Sequence, residues 1–221
     1  MALSLGTNSG FCSAAPVDDP ADLNTSTYDN TSRVARDTSP ATAIKITEVG
    51  WWCDTATEEA NFDVGLYSAD GAVVPGEAGT RLYNDTEHAK GTTAGWKSVT
   101  GLNWSISSST TYWIGVAVDN TATATQGNWN SGGTGAGYDI RSGVTVLNDP
   151  FGGGALTNST NTAGIYAVWE GAAPGTTQIN IGDAWKDIDW TASKINIGDA
   201  WKTITGVQIN IGDTWKTVYA A

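Results

Sequence analysis

The sequence predicts an all-β protein, in which an antiparallel, jelly-roll-like β-sandwich precedes a small module of three repeated β-hairpins. Composition is the first reason, because the 221 residues include 27 glycines and only 15% charged residues, as expected for short strands joined by polar turns. The second is a series of short segments that alternate apolar and polar residues between turn signals. The third is an octapeptide that occurs three times near the C-terminus.

Residues 1–40 are polar and contain Asp18-Asp19-Pro20 and several Asn-Thr-Ser clusters. They are predicted to form an extended N-terminal arm, with one short strand near residues 32–34. Such an arm would dock the protein on a larger particle.

The two cysteines are too few for a disulfide framework. Cys12 and Cys53 have no zinc-site spacing, and the single histidine, His88, cannot complete such a site. We expect both thiols to be small buried apolar groups. The alternative is a Cys12–Cys53 disulfide that ties the arm to the first strand of the body.

Residues 41–171 are predicted to form the sandwich. The clearest strand alternates Tyr112, Ile114, Val116 and Val118 with residues of the opposite face. Further predicted strands lie near residues 44–52, 62–67, 81–83, 96–99, 102–106 and 165–169. The Gly-, Asn- and Thr-rich residues 120–160 predict long loops at one end, and residues 172–177 read as a linker.

Residues 178–221 are predicted to form the three-hairpin module. The octapeptide Ile-Asn-Ile-Gly-Asp-Ala-Trp-Lys of residues 179–186 recurs at 195–202, and again at 209–216 with Thr214 in place of alanine. A two-residue Gly-Asp turn pairs Asn180 with Trp185. A three-residue loop is the alternative, and it would shift the register by one residue.

The repeated tryptophans are the first candidate ligand-binding residues. On the preferred register each tryptophan lies opposite an asparagine, so three equivalent patches could bind sugars by indole stacking and amide hydrogen bonds. In the alternative interpretation these indoles pack against the sandwich or a neighbouring subunit. The three pairs are Trp185 with Asn180, Trp201 with Asn196 and Trp215 with Asn210.

Three tryptophans of the body are further ligand candidates. Trp52 adjoins a turn-like segment, Trp113 faces outward if Tyr112 faces inward, and Trp129 lies in the polar segment Gln126-Gly127-Asn128-Trp129-Asn130. By contrast, the remaining body tryptophans on predicted strands are expected in the core. Those are Trp51, Trp104 and Trp169.

Several functional classes are disfavoured. The net charge of −12 opposes binding to a phosphate backbone. His88 has no acid placed to orient it, and no nucleophile set, phosphate loop or calcium-loop motif is present, so we expect no catalysis, metal or cofactor. Neither a signal peptide nor a membrane-spanning segment is expected.

Parts of the chain resemble known families. Residues 1–11 and the run Pro-Ala-Thr-Ala-Ile-Lys-Ile-Thr-Glu-Val-Gly-Trp-Trp at 40–52 resemble uncharacterised virion proteins of tailed bacteriophages. Thr-Thr-Tyr-Trp-Ile-Gly-Val at 110–116 is similar to the penultimate strand of jelly-roll modules on bacterial and phage surfaces. The C-terminal repeats resemble tandem hairpins at the ends of phage tail and decoration proteins.

The resemblance implies a non-enzymatic structural protein of the virion surface, either a capsid decoration protein or a tail or fibre component. Its expected partners are other virion proteins, further copies of itself in a homotrimer, and host-surface glycans. One alternative is a stand-alone carbohydrate-binding module. The other is a bacterial surface or filament subunit, in which the arm or a repeat strand completes a neighbour's sheet.

Overall fold

A computed structural model of the chain confirms the predicted all-β sandwich class. It describes residues 2–20, 24–54, 58–71, 76–119, 125–152 and 160–171 with their side chains, and the backbone of six strands between residues 177 and 220. The chain divides into two units, Met1–Gly171 and Ala172–Ala221. This division coincides with the predicted start of the linker at residue 172.

The described part of the first unit contains twelve strands. In chain order they are β1 (Gly10–Cys12), β2 (Thr25–Thr27), β3 (Thr31–Thr38), β4 (Ala43–Cys53), β5 (Asn61–Ser68), β6 (Arg81–Ala89), β7 (Gly95–Ser105), β8 (Thr111–Val118), β9 (Gln126–Ser131), β10 (Gly137–Ser142), β11 (Asn161–Ala163) and β12 (Ile165–Gly171).

Strand pairing in the first unit is nested in the manner of a jelly roll. β1 pairs with β12, β3 with β8, β4 with β7 and β5 with β6, so that each pair encloses the next along the chain. The result is a four-stranded sheet of order β1-β12-β4-β7 and a five-stranded sheet of order β10-β3-β8-β5-β6. A small third sheet has the order β11-β9-β2.

Residues 1–40 belong to this unit, so the predicted boundary at residue 40 has no counterpart in the structure. The eight-residue β3 lies between β10 and β8 in the five-stranded sheet, and β1 forms one edge of the four-stranded sheet. The sequence signal for β3 is weak because Val34 and Ala35 are its only apolar residues. Thr31, Ser32 and Arg33 are nevertheless buried by neighbouring strands and loops, which the local pattern does not reveal.

β1 is held in place by contacts made across the sandwich. It runs parallel to β12, and the backbone N–H of Phe11 donates a hydrogen bond of 2.8 Å to Asp37 Oδ2. Just before β1, Ser9 Oγ lies 2.5 Å from Thr162 Oγ1. Gly10 has a φ of +67°, and a Cβ atom there would overlap the Asp37 carboxylate.

β7 is one strand where the sequence predicted two. Ile46 pairs with Trp104, and Glu48 pairs with Thr100, so β7 places three residues opposite a single residue of β4. Gly101, with a φ of +76°, lies in this bulge. The bulge shifts the alternation of apolar residues, which is why one strand resembles two short ones.

The predicted loop region 120–160 contains regular structure. β9 and β11 join β2 in the small sheet, and β10 pairs with β3 at an edge of the five-stranded sheet. Residues 120–124 and 153–159 lie outside the described residues. Glycine and asparagine content therefore predicted loops too broadly here.

The core lies between the two large sheets and is centred on Trp51. This indole is fully buried, and its ring centroid lies 4.8 Å from that of Tyr28 and 5.9 Å from that of Phe62. Trp104 is buried in the same cluster, and Trp169 is partly buried against it. The expectation that Trp51, Trp104 and Trp169 contribute to packing is confirmed.

The cysteines are both buried, and no disulfide joins them. This agrees with the expectation of small apolar groups and removes the Cys12–Cys53 alternative. Burial raises the pKa of the Cys12 thiol to about 12, so this thiol remains protonated at neutral pH.

In the second unit, the described strands pair as three two-stranded hairpins. Their strands are β13 (Thr177–Ile181) with β14 (Ala184–Ile188), β15 (Lys194–Ile197) with β16 (Ala200–Thr203), and β17 (Gly206–Ile211) with β18 (Thr214–Ala220).

Within the described part of the chain, no helix is long and apolar enough to cross a membrane.

Replacing Gly10 with alanine should destabilise the first unit by about 3 kcal/mol, because it combines left-handed backbone strain with a steric overlap. Gly101→Ala is the matched control. It has a similar φ, but a Cβ atom added there would have no neighbour within 4 Å, so it should cost only about 1 kcal/mol. Urea unfolding followed by tryptophan fluorescence measures both. Equal losses in the two variants would show that β1 does not pack against Asp37.

Candidate functional site

The two outer faces of the sandwich differ, and this difference decides where a ligand could bind. Part of the outer face of the five-stranded sheet is covered by a second apolar layer. That layer includes Leu147 and Phe151, which pack with Tyr67 and Trp113. It is fastened by Tyr67, whose hydroxyl donates a hydrogen bond of 2.9 Å to the carbonyl of Asn148.

Trp113 lies on the outer side of its sheet, as predicted from Tyr112 facing inward, but it is buried there and has no surface exposed to a ligand. It does point away from Tyr112, which lies in the main core. However, Trp113 is 0% exposed, and its Nε1 donates a hydrogen bond of 2.8 Å to the carbonyl of Gly76. The guanidinium of Arg36 lies 5.6 Å from its ring centroid. Alternation along β8 identified the face, but it could not reveal the loops that cover it.

The outer face of the four-stranded sheet carries exposed polar side chains. Val49 and Val99 are paired in the core, so their strand neighbours point outward. Ser98 and Thr100 of β7 are exposed on this face, and Glu48 of β4, which pairs with Thr100, is half-buried. This face therefore offers hydroxyl and carboxylate groups to solvent.

Three aromatic residues pack together on the same face. The ring centroid of Trp96 lies 5.3 Å from that of Trp52 and 5.2 Å from that of Tyr166, both in edge-on geometry. The Tyr166 hydroxyl donates a hydrogen bond of 2.6 Å to Glu48 Oε1. A Cβ at Gly50 would come within 2.6 Å of the Tyr166 ring, so only glycine at this position leaves room for it.

Trp52, a sequence candidate for ligand binding, forms the base of this cluster. It is 8% exposed, so the half-buried Trp96 is the member that reaches solvent. The indole nitrogen of Trp52 is buried and has no hydrogen-bond partner among the described residues. The sequence did not single out Trp96, although its register opposite Trp52 follows from pairing the two segments.

A short segment, residues 13–20, crosses this face. β1 lies at one edge of the sheet and β7 at the other, a separation of three strand spacings or about 14 Å. The segment spans it, and the carbonyl of Asp18 accepts a hydrogen bond of 3.0 Å from Trp96 Nε1. Between the segment and the preceding turn lies a cleft of about 290 Å³. It is lined by Gly6, Thr7, Asn8 and residues 13–18.

Trp129, the third body candidate, lies in β9 and not in a loop. It is half-buried and stacks on Tyr138, with ring centroids 6.1 Å apart and an interplanar angle of 7°. The guanidinium of Arg33 lies 5.7 Å from the Tyr138 centroid on this cluster. Asn128 is buried, and its Nδ2 donates to the carbonyl of Pro20. Adjacent residues of a strand point to opposite faces. The indole of Trp129 is therefore not flanked by the amide side chains of its sequence neighbours.

The repeated tryptophans are described only by their backbone register. The structure pairs Asn180 with Trp185, and the same pairing recurs in the other two hairpins for Asn196 with Trp201 and Asn210 with Trp215. This is the register that the two-residue turn predicts, and it removes the three-residue alternative. The side chains themselves lie outside the described residues, so sugar binding and packing both remain hypotheses.

Acidic residues, including Asp85 and Asp63, lie near the single histidine, His88. His88 Nε2 lies 2.9 Å from Asp85 Oδ1, but this buried nitrogen has no hydrogen-bond partner among the described residues. Burial raises the pKa of the nearby Asp63 carboxyl, although a hydrogen bond from the Glu87 backbone opposes this shift. Among the described residues, no three His, Cys, Asp or Glu side chains gather as metal ligands would.

Comparison with protein-family models, with curated proteins and with solved structures finds no match to this chain.

Two aspartates should give opposite pH dependences of stability. Burial raises the pKa of Asp63, whereas hydrogen bonds from Ser68 and Thr80 lower the pKa of Asp70. Folded Asp63 keeps its proton to higher pH, so its contribution to stability falls as pH rises above the unfolded value of about 3.9. The contribution of Asp70 is complete above that value and is lost as pH falls below it.

Free energies of unfolding, measured in urea from about pH 2.5 to 6, test this for Asp63→Asn and Asp70→Asn. The free energy of unfolding of the parent protein minus that of Asp63→Asn should fall as pH rises. The same difference for Asp70→Asn should increase as pH rises. Differences that change in the same direction would contradict the described environments.

Proposed function

We propose that this chain is a non-enzymatic structural protein of a virion surface, acting as a capsid decoration protein or as a tail or fibre component. The observation that carries the proposal is the identical register of the three C-terminal hairpins. A tandem unit without a nucleophile or a histidine suits an assembly joint better than a catalytic centre. The resemblance of several segments to phage virion proteins supports the same conclusion.

The first unit suits the role of a rigid body in such an assembly. Its strands are nested, and its outer layer and N-terminal segment are fastened by hydrogen bonds to side chains distant in sequence. β1 completes the sheet of its own chain, which disfavours a filament in which this strand completes a neighbour's sheet. The proposed partners are other virion proteins and further copies of this chain, while the net charge of −12 disfavours nucleic acid.

A stand-alone carbohydrate-binding module is the second candidate. The open outer face of the four-stranded sheet, with aromatic and hydroxyl side chains, favours it over the filament subunit. The two candidates differ in location, because only the first requires the chain to be part of a particle.

Location is tested directly by mass spectrometry of purified virus particles from the source, with immunogold electron microscopy to place the chain. The proposal expects a fixed copy number per particle and gold at the surface. A chain found only outside particles would favour the carbohydrate-binding module.

Assembly through the repeats predicts a trimer. Light scattering should give about three times the 23.0 kDa chain mass across a dilution series. Changing Trp185, Trp201 and Trp215 to alanine should lower the mass toward that of one chain, because buried aromatics dominate interfaces.

The matched control changes three exposed apolar residues of the first unit, Val17, Leu82 and Val146, to alanine. This variant should remain trimeric. A parent protein that is monomeric at every concentration would rule out the trimer.

A further inference from the structure

The structure assigns a binding site for a neutral oligosaccharide to the outer face of the four-stranded sheet, centred on Trp96. This inference goes beyond the proposed structural role, and it does not depend on where the protein is located. It moves glycan recognition away from Trp52, Trp113 and Trp129, which the sequence favoured within the body.

The outer faces of the two large sheets differ in what covers them. On the five-stranded sheet, Leu147 and Phe151 cover Tyr67 and Trp113, although the edge strand β6 still exposes Leu82 and Asn84. The other face carries the exposed hydroxyls of Ser98 and Thr100, and the half-buried Trp96 and Glu48. Residues 13–20 cross this face as far as Trp96, and these four side chains remain accessible beside that segment.

The aromatic cluster of Trp96, Trp52 and Tyr166 holds Trp96 rigidly. Trp96 contacts both Trp52 and Tyr166 edge-on, and the Asp18 carbonyl holds its indole nitrogen at 3.0 Å. An indole fixed in this way loses little side-chain entropy when a ligand binds. An apolar surface of this kind suits the C–H face of a sugar ring.

The spacing of polar groups is the next feature of the site. Trp96, Ser98 and Thr100 are at every second position of β7, so they follow one face over about 13 Å. Glu48 is opposite Thr100 on the neighbouring strand, and its carboxylate can accept hydrogen bonds from hydroxyl groups. An aromatic surface followed by hydroxyls and a carboxylate matches a short chain of sugars.

The base of the cluster has unused hydrogen-bonding capacity. The indole N–H of Trp52 is more than nine-tenths buried and has no acceptor among the described residues. Such a donor is costly unless it is satisfied. The nitrogen is enclosed by its neighbours, so it adds a polar group beneath the site and is not itself a surface contact for a ligand.

Charge selects among ligands. Glu48 and Asp18 border the site, and the chain carries a net charge of −12. An anionic ligand such as a sialylated or sulfated glycan would be repelled. The site therefore suits neutral sugars.

A glycan array carrying neutral oligomers of glucose, galactose, mannose and N-acetylglucosamine, with sialylated and sulfated members beside them, tests the site. The full chain should bind at least one neutral oligomer. Calorimetry with that oligomer then compares variants, each checked for folding by circular dichroism. Trp96→Ala should weaken binding about tenfold or more, and Trp96→Phe should restore most of the loss.

The double change Ser98→Ala and Thr100→Ala tests the same site through two exposed side chains, so it decides the matter if Trp96→Ala fails to fold. It should weaken binding about fivefold or more. Trp129→Ala and Thr86→Ala are the controls, since they remove a half-buried indole and an exposed hydroxyl elsewhere, and both should bind as the parent does.

Three results would overturn the assignment. They are no binding to any neutral oligomer, binding to anionic glycans alone, and an affinity that the double hydroxyl change leaves intact.

Discussion

Apolar packing between the two large sheets is the constraint on which the rest of the structure depends. Trp51 of β4 meets Phe62 of β5 across the interface, with ring centroids 5.9 Å apart, and Val49 and Val99 are buried beside them. Burying side chains of this size supplies most of the stabilisation in a sandwich. Because strands alternate, fixing these residues inward also fixes which residues face outward. The candidate site on β4 and β7 is a consequence of that choice.

The same constraint explains why the chain needs glycine at three positions. Gly10 brings β1 close to Asp37, and Gly50 leaves room for the ring of Tyr166. Gly101 lies in the bulge where the pairing register of β4 and β7 shifts. Each lies where a strand must approach a neighbour closely or where pairing shifts. The N-terminal segment is part of the body, and its residues 13–20 cross the outer face of the four-stranded sheet.

The sequence predicted the strongly alternating strands and the hairpin register, but it did not predict features that depend on contacts between distant parts of the chain. Strong apolar alternation identified β4, β5, β8 and β12, and the Gly-Asp spacing predicted the hairpin register that the structure has. β3 was underestimated because its burial comes from neighbours distant in sequence. The same limitation applies to Trp113, since alternation gives the face of a strand but not what covers that face. Trp96 was overlooked because its role depends on contacts with Trp52 and Tyr166, which only the fold brings together.

Hydroxyl-radical labelling followed by mass spectrometry tests directly whether the inter-sheet packing sets the faces as described, because it reports how accessible each tryptophan is to solvent. Trp96, Trp129 and Trp169 are half-buried, whereas Trp51 and Trp113 are fully buried. We expect Trp96 to be oxidised well before Trp113, although both lie on outer faces of their sheets. Oxidation of Trp113 as fast as that of Trp96 would show that the second layer does not cover the five-stranded sheet. It would also remove the asymmetry on which the location of the site is based.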